Sequence, residues 1–339
     1  MIKEAIGSLV SGNSLTMEEA SSVMEEIMDG SATQAQLGAF LVALKLKGET
    51  ADEVAGLASV MRARSSRVSL TGPVIDIVGT GGDGSNTFNI STTAAFVMAG
   101  AGLKVAKHGN RAMSSRCGSA DVLEALGVKI ELKPEQVQQC VEKVGIGFMF
   151  AQAFHPAMKY AAAPRREIGI STVFNILGPL TNPAGAEYQV LGVPSEELGD
   201  KIAAALCRMG TKRALVVHGL NGIDELSISG YSVLWEINDG RVISARQLIR
   251  PEDTGLNSAA DSSVLGGTPQ ENAEILRTVL NGERSARRDV VLLNAAAGIY
   301  IGGMAGSLAE AVTTAATVID SGRAAGKLDQ LISFSRVLV

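Results

Sequence analysis

The stretch from Val74 to Thr92 combines a glycine-rich run with side chains that can donate hydrogen bonds to an anion. An apolar, largely β-branched run, residues 74–78, leads into Gly79-Thr-Gly-Gly-Asp-Gly84 and then into an alanine-rich helical pattern. This order predicts a strand, a tight glycine loop and a helix N-terminus, where free backbone N–H groups and the helix dipole attract phosphate. Further side-chain donors follow within the same stretch: Asn86, Thr87, Asn89, Ser91 and Thr92.

The two best-known phosphate loops do not fit this pattern. No Lys-Ser/Thr pair closes the run as in a P-loop, and the glycine spacing matches a dinucleotide-binding fingerprint poorly. A tight turn between strand and helix that binds nothing is the simpler alternative. Because five hydroxyl or amide side chains within seven residues are more than such a turn requires, we favour a phosphate site.

A second polar cluster, residues 107–119, follows a short apolar run at residues 104–106. Its charged and polar members are Lys107, His108, Asn110, Arg111, Ser114, Ser115, Arg116 and Ser119. Taken singly, each is typical of an exposed loop. The carboxyl ends of parallel strands share one edge of a sheet, however, so the two clusters should meet there and form an electrostatic clamp on a polyanion.

The elements that must position these residues fall into two groups. Residues 1 to about 65 read as helices, with predicted starts at Ser14 or Thr16, at Thr33 and at Thr50. From residue 73, short apolar runs alternate with helical stretches, and the predicted strands are residues 74–78, 104–106, 128–131, 147–150, 189–193 and 214–218. This alternation predicts an α/β fold with a mostly parallel central sheet covered on both faces.

Two interruptions refine this organisation. Residues 155–183 read as a helical insertion, and residues 231–248 read as a β-hairpin around a reverse turn. We expect the insertion to rejoin the N-terminal helices across a crevice. The small helical domain would then comprise residues 1–70 plus about 155–187, and the large α/β domain residues 71–154 plus 188–339.

The composition limits the class of function. In 339 residues the net charge is −5 and only 4% of the residues are aromatic, which argues against a nucleic-acid surface. The three cysteines, Cys117, Cys140 and Cys207, lack CxxC spacing, so we expect neither a disulfide framework nor a zinc site. Without a secretory signal or an apolar run of about 18 residues, the chain is expected to be cytoplasmic, with no membrane association.

Six motifs in order make the chain resemble the anthranilate phosphoribosyltransferase family of tryptophan biosynthesis over essentially its whole length. They are Gly79-Thr-Gly-Gly-Asp-Gly84, Asn89-Ile-Ser-Thr92, Lys107-His-Gly-Asn-Arg111, Arg165-Arg166, Gly178-Pro-Leu-Thr-Asn-Pro183 and Asp224-Glu225. The resemblance implies a nucleoside phosphorylase/phosphoribosyltransferase-like fold. It also implies transfer of the phosphoribosyl group from phosphoribosyl pyrophosphate to the amine of anthranilate, with release of pyrophosphate, by a homodimer.

The resemblance further implies the residues that bind each substrate. Phosphoribosyl pyrophosphate is expected at Gly79, Gly82, Asp83, Thr87, Asn89, Ile90, Ser91, Thr92, Lys107, Gly109, Asn110, Arg111, Ser114, Ser115 and Ser119. Anthranilate is expected at Gly79, His108, Asn110, Arg165, Gly178 and Pro179. One or two Mg²⁺ ions are expected at Ser91, Asp224 and Glu225, whose oxygens are hard ligands. The catalytic residues would be Lys107, His108 and Asn110, whereas Arg166 fits a surface charge as well as it fits a contact.

Two other functions compete with this interpretation. A nucleoside phosphorylase of the same architecture would use a similar glycine loop, but it binds one phosphate and needs no magnesium carboxylates. A non-catalytic relative that binds single-stranded nucleic acid would need a broad positive surface with stacking aromatics. One Trp, four Tyr and a net charge of −5 weigh against the second alternative, so we expect small-molecule substrates and no nucleic-acid partner.

Overall fold

The computed structural model describes residues 1–112 and 115–339, and its N-terminal part is helical. The first four helices are α1 (Ile2–Val10), α2 (Met17–Met28), α3 (Gln34–Lys47) and α4 (Ala51–Ala63). The predicted helix starts at Thr16, Thr33 and Thr50 are confirmed. Each threonine hydroxyl accepts a hydrogen bond from the N–H three residues on, and the Glu or Gln at that position bonds back to the threonine N–H.

One seven-stranded sheet forms the centre of the molecule, in the order β3-β2-β1-β4-β5-β6-β7. The strands are β1 (Ile75–Gly79), β2 (Val105–Gly109), β3 (Ile146–Phe150), β4 (Tyr188–Gly192), β5 (Arg213–Gly219), β6 (Ser232–Asn238) and β7 (Arg241–Ile249). The first five strands are parallel, and β6 and β7 add an antiparallel hairpin. The predicted mostly parallel sheet and the hairpin are therefore confirmed.

Helices cover both faces of the sheet. The helices that follow β1 in the chain are α5 (Ile90–Ala101), α6 (Ser119–Leu126), α7 (Pro134–Val144), α8 (Ala151–Phe154), α9 (Lys159–Ile168), α10 (Phe174–Leu177), α11 (Glu196–Arg208), α12 (Pro269–Leu280), α13 (Ala286–Ile301), α14 (Leu308–Asp320) and α15 (Arg323–Val337). Helix α5 is almost entirely buried, with α13, α14 and α15 packed around it. Its small residues allow this close packing, since a Cβ at Gly100 would meet the side chain of Val318. Among the described residues, no helix has the length and apolar character needed to cross a membrane.

The prediction of a strand at residues 128–131 is wrong. This segment joins no strand; instead it lies extended against the C-terminal helices, where Lys129 N–H donates to Ser335 Oγ over 3.1 Å. Val128 and Ile130 are buried, and Lys129 and Glu131 are exposed. Any extended segment on an apolar surface produces this alternation, so the pattern alone does not distinguish it from a paired strand.

The segment of residues 155–183 forms short helices, as predicted. Helix α9 packs against α2 and α3, and Phe174 and Leu177 of α10 join the apolar core of the N-terminal helices. Asn182 connects the end of this segment to the sheet. Its Nδ2 donates to Asp76 Oδ2 over 2.7 Å and to the Ala106 carbonyl oxygen over 2.8 Å. The segment therefore bridges the helical part and the strands β1 and β2.

Candidate active site

A glycine loop, residues 80–89, joins β1 to α5 at the carboxyl edge of the sheet. Gly81, Gly82 and Gly84 have φ values of +70°, +77° and +71°, a region that side chains disfavour, and all three are exposed. Farther along the loop, Thr87 pairs with Leu265 in an isolated antiparallel bridge. The loop is thus held at its far end while its glycine backbone remains open to a ligand.

Asp224 lies directly against the glycine loop. The Gly81 N–H donates to Asp224 Oδ2 over 2.6 Å, and the Asp224 N–H donates to Asp83 Oδ2 over 3.3 Å. A Cβ at Gly79 would collide with the Asp224 carboxylate, so the last residue of β1 must be glycine. The acidic dipeptide after β5 therefore forms part of the same site as the loop after β1.

Glu225 and Lys107 meet at the start of α5. The Ser91 N–H donates to Glu225 Oε1 over 3.2 Å. From β2, Lys107 Nζ donates to the Ile77 carbonyl oxygen over 2.6 Å and to Ser91 Oγ over 3.4 Å. The structure thus brings Ser91, Lys107 and Glu225 together from three separate segments of the chain.

Burial controls the electrostatics of this cluster. It raises the pKa of Asp224 and of Glu225, and repulsion among these two carboxylates and Asp83 raises both pKa values further. Burial also lowers the pKa of Lys107, while attraction to Asp76 and Glu225 opposes that shift. A bound cation would therefore stabilise the ionised form of both carboxylates.

The donor set of this cluster fits magnesium. Ser91, Asp224 and Glu225 present one hydroxyl and two carboxylates, all hard oxygen donors. Mg²⁺ usually binds proteins through one or two carboxylates and completes its shell with waters and substrate phosphates. The repulsion that raises the pKa of both carboxylates is the physical reason to expect a divalent cation here.

The loop after β2 folds back onto the start of α6. Asp121 Oδ2 accepts a hydrogen bond from the Gly118 N–H over 2.8 Å, and Ser119 Oγ donates to the Asn110 carbonyl oxygen over 3.3 Å. A Cβ at Gly109 would collide with Ser119 Oγ, so this crossing requires glycine. Two other serines of this loop were predicted to bind substrate. Ser115 is exposed, and Ser114 lies outside the described residues.

Arg111 in this loop is already paired with acidic side chains. Its guanidinium lies 3.2 Å from Asp121 and bonds both oxygens of Glu124, and it sits 5.4 Å from the centroid of the Phe150 ring. These ion pairs raise its pKa. Two carboxylates thus compensate the charge that the resemblance assigns to the diphosphate.

Asn89 caps α5, but its side chain is bound mainly to protein. Its Nδ2 donates to the Cys117 carbonyl oxygen over 3.1 Å, and its Oδ1 accepts from Asn272 Nδ2 over 2.9 Å. One Nδ2 hydrogen remains for a ligand. The next predicted contacts, Ile90 and Thr92, are buried in the first turn of α5. Asn89 therefore links the glycine loop to the loop after β2.

His108 and His155 form a buried imidazole pair at the end of β2. Their ring centroids lie 5.0 Å apart, and among the described residues neither Nε2 has a hydrogen-bond partner. Burial lowers the pKa of His108 to about 3 and that of His155 to about 4. The His108 backbone N–H donates to Asp76 Oδ1 over 3.3 Å. Both imidazoles are therefore neutral at pH 7, which suits orientation of a substrate better than proton donation.

Arg165 lies on α9, half-buried, with its guanidinium 5.0 Å from the centroid of the Phe174 ring. Burial lowers its pKa, with no contribution from a carboxylate among the described residues. The neighbouring Arg166 is exposed. In the turn that follows α10, the Gly178 backbone opposes the lowering of the His108 pKa, and Pro179 is buried.

Sequence reasoning missed several residues that hold this site together: Asp76, Cys117, His155, Asn182 and Asn272. Asp76 did carry a signal, because a carboxylate within an apolar strand must find partners once it is buried. Asn272 carried none, since an asparagine early in a polar helix is ordinary.

Comparison with known proteins places the whole chain in one group. Residues 71–325 match the glycosyl transferase family a/b domain, and residues 3–65 match the glycosyl transferase family helical bundle domain. An anthranilate phosphoribosyltransferase from Dehalococcoides mccartyi is 62% identical over 338 residues, which cover 100% of this chain and 99% of that protein.

Solved structures agree with these matches. The crystal structure of anthranilate phosphoribosyltransferase from Thermus thermophilus has a TM-score of 0.93 at 46% identity, covering 98% of this chain and 99% of that one. Anthranilate phosphoribosyltransferase from Saccharomyces cerevisiae in complex with PRPP and Mg has a TM-score of 0.91 at 30% identity, covering 99% and 98% of the two chains.

Proposed function

The chain belongs to the anthranilate phosphoribosyltransferase family, and we propose how its residues transfer the phosphoribosyl group of phosphoribosyl pyrophosphate to the amine of anthranilate. The products are N-phosphoribosyl-anthranilate and pyrophosphate, a step of tryptophan biosynthesis. One observation carries the residue assignment. The glycine loop and the start of α5 converge with an acidic dipeptide distant in sequence, through the Gly81–Asp224 and Ser91–Glu225 hydrogen bonds.

Phosphoribosyl pyrophosphate binds over the glycine loop and the start of α5. The exposed backbone of Gly82 and the N-terminus of α5 face its diphosphate. Ser91, Asp224 and Glu225 hold one or two Mg²⁺ ions. When bound, the metal supplies positive charge that offsets the charge of the diphosphate. Support comes from the carboxylate repulsion in this chain and from the yeast relative solved with PRPP and Mg.

Catalysis in this proposal stabilises the leaving group. The bond between the anomeric carbon and the pyrophosphate oxygen breaks before much attack by the amine, so negative charge develops on pyrophosphate. Lys107 and the positive end of the α5 dipole would stabilise that charge. An aromatic amine is neutral at pH 7, so no strong base has to act before the attack. Once the carbon–nitrogen bond has formed, the nitrogen carries a positive charge and releases one proton to solvent.

Anthranilate occupies the side of the site formed by the segment of residues 155–183. Its carboxylate pairs with Arg165, since a guanidinium can bind a carboxylate through two parallel hydrogen bonds. Asn110 and the neutral His108 orient the amine end, and Gly178 and Pro179 form an apolar wall. The uncompensated, half-buried charge of Arg165 supports this assignment.

We further propose that the chain is a cytoplasmic homodimer. The helical N-terminal part exposes three large apolar side chains, Met1 at 53%, Val10 at 73% and Leu46 at 83% of their surface. Burying them against a second copy of the chain would remove apolar surface from water. Light scattering of the purified chain would measure the mass, and a monomer at micromolar concentration would rule out the dimer.

A fluorescence assay tests the reaction itself. Anthranilate is intrinsically fluorescent, and its signal should fall when the purified chain, phosphoribosyl pyrophosphate and Mg²⁺ are all present. Omitting either the donor or the metal should abolish the change. A chain that instead cleaves nucleosides with inorganic phosphate, without Mg²⁺, would be a nucleoside phosphorylase.

A further inference from the structure

Asn272, in the first turn of α12, is 1% exposed and uses its side-chain amide to connect separate segments. Its Oδ1 accepts a hydrogen bond from the Gly267 N–H over 2.7 Å, and its Nδ2 donates to Asn89 Oδ1 over 2.9 Å. Asn89 Nδ2 in turn donates to the Cys117 carbonyl oxygen over 3.1 Å. Two amides in series therefore run from α12 to the glycine loop and on to the loop after β2.

The Gly267 N–H fixes the orientation of the Asn272 amide. A backbone N–H can only donate, so Gly267 must face the oxygen end of the Asn272 amide. The nitrogen end of Asn272 then faces Asn89 Oδ1. That leaves the nitrogen end of Asn89 toward the Cys117 carbonyl oxygen, with its second hydrogen free. Cys117 requires the same orientation of Asn89, because its carbonyl oxygen accepts from Nδ2 and its Sγ donates to Oδ1 over 3.3 Å.

The segment that carries the Gly267 N–H is itself held against the glycine loop. The Gly266 N–H donates to the Asn86 carbonyl oxygen over 2.9 Å, and the Phe88 N–H donates to the Val264 carbonyl oxygen over 3.1 Å. A Cβ at Gly266 would lie 2.7 Å from Phe88 Cα, so the two backbones approach as closely as glycine allows. The segment of residues 264–267 is thus a rigid reference for the loop.

We propose that Asn272 is a positioning residue for the phosphoribosyl pyrophosphate site. It holds the Asn89 amide so that the free Nδ2 hydrogen serves the diphosphate, and it keeps the two substrate loops in register. The inference rests on the proposed function, in which those loops bind the donor. Without Asn272 the Asn89 amide keeps only its contacts with Cys117, so its position beside the donor site is less tightly fixed.

The first test replaces the amide with an apolar side chain of similar volume. Asn272→Leu removes both hydrogen bonds, and calorimetry with phosphoribosyl pyrophosphate and Mg²⁺ should show binding weakened about tenfold. The KM for phosphoribosyl pyrophosphate should rise by the same factor, while the KM for anthranilate stays within about twofold. Leu276→Ala is the matched control, because Leu276 is buried one turn further along α12. It should lower the melting temperature and leave donor affinity unchanged.

The second variant, Asn272→Asp, keeps the shape of the side chain and changes only its hydrogen-bond donor. An ionised Asp in Asn272→Asp can accept from Gly267 but has no hydrogen for Asn89 Oδ1, whereas its neutral acid form does. The affinity for phosphoribosyl pyrophosphate relative to the parent chain should therefore fall about tenfold at pH 9, where an aspartate is ionised, and the loss should shrink only when the pH falls through the pKa of that carboxyl. The neighbouring Cys117 thiol does not interfere, since burial raises its pKa to about 11.

The possible outcomes distinguish a failure of the proposed function from a failure of the role assigned to Asn272. If the parent chain binds no phosphoribosyl pyrophosphate, the proposed function fails and the inference fails with it. If the parent binds and both variants keep its affinity at pH 9, only the role of Asn272 is overturned. A loss shared equally by both substrates, or by the Leu276→Ala control, would reduce Asn272 to a packing residue. Should Asn272→Leu fail to fold, the Asn272→Asp titration alone decides.

Discussion

The ammonium group of Lys107 on β2 donates a hydrogen bond to the carbonyl oxygen of Ile77 on β1 over 2.6 Å. This contact holds a buried cation at the edge of the sheet, where its Nζ also lies 3.4 Å from Ser91 Oγ. A desolvated, prepositioned charge stabilises a leaving group far more than the same charge in water would.

Replacing Lys107 with methionine should reduce kcat by roughly 100- to 1,000-fold, because a charge used mainly in the transition state is removed. Steady-state kinetics with both substrates would measure the loss. Lys104→Met is the control, since Lys104 bonds the Thr71 carbonyl oxygen at the other end of the strand. Similar losses in the two variants would argue against a catalytic role for Lys107.

Arg165→Ala should raise the KM for anthranilate roughly 10- to 100-fold and change the KM for phosphoribosyl pyrophosphate little, because a charge-assisted pair to the carboxylate is lost. The neighbouring Arg166→Ala removes the same charge from an exposed position and should have little effect. A larger effect on the sugar donor than on anthranilate would invalidate the acceptor assignment.

Asp224→Asn combined with Glu225→Gln should reduce turnover by at least about a hundredfold and abolish the dependence on Mg²⁺ concentration, because both carboxylate ligands are lost. Calorimetry would show whether the variant still takes up phosphoribosyl pyrophosphate with the metal. Glu25→Gln with Asp29→Asn changes the net charge equally at exposed partners of Arg64 and should leave both properties intact. An unchanged magnesium response in the first variant would contradict the metal assignment.

The buried His108 and His155 should make the fold sensitive to acid. Their pKa values of about 3 and about 4 lie below the ordinary value, so the unfolded chain binds more protons between roughly pH 6.5 and pH 4. The stability they contribute is complete above pH 6.5 and is lost as the pH falls through that window. Each should cost about 2 kcal/mol of unfolding free energy at pH 5 relative to pH 7.

Urea unfolding at a series of pH values measures this slope. The stability of the His155→Gln variant should fall by about 2 kcal/mol less than that of the parent chain between pH 7 and pH 5, whatever its stability at pH 7. An unaltered slope would mean that other groups govern acid unfolding.

Much of this site could be predicted from the chain because its parts lie at strand ends. The glycine loop follows β1 directly and Lys107 belongs to β2, so alternation of strands and helices was enough to place them on one edge. Asp224 and Glu225 follow β5 in the same way, but an acidic dipeptide has no local signature, and only the family resemblance selected it.

What the sequence could not reveal depends on contacts between distant segments. Arg111 reads as a free cation, yet Asp121 and Glu124 on the next helix neutralise it. Residues 128–131 read as a strand, yet the sheet already ends at β3, and the segment packs on helices instead. Hydrophobic periodicity shows which side of a segment is buried, but it does not show which element the segment packs against.

The close pairing of residues 86–88 with residues 264–266 also sets an order of events during protein synthesis. The glycine loop leaves the ribosome well before the backbone groups that hold it. Because parts of a chain fold as they emerge, the N-terminal helices can assemble early, whereas the loop gains its final shape only after α12 has been translated. A nascent chain therefore becomes able to engage the activated sugar only when most of its length has been made.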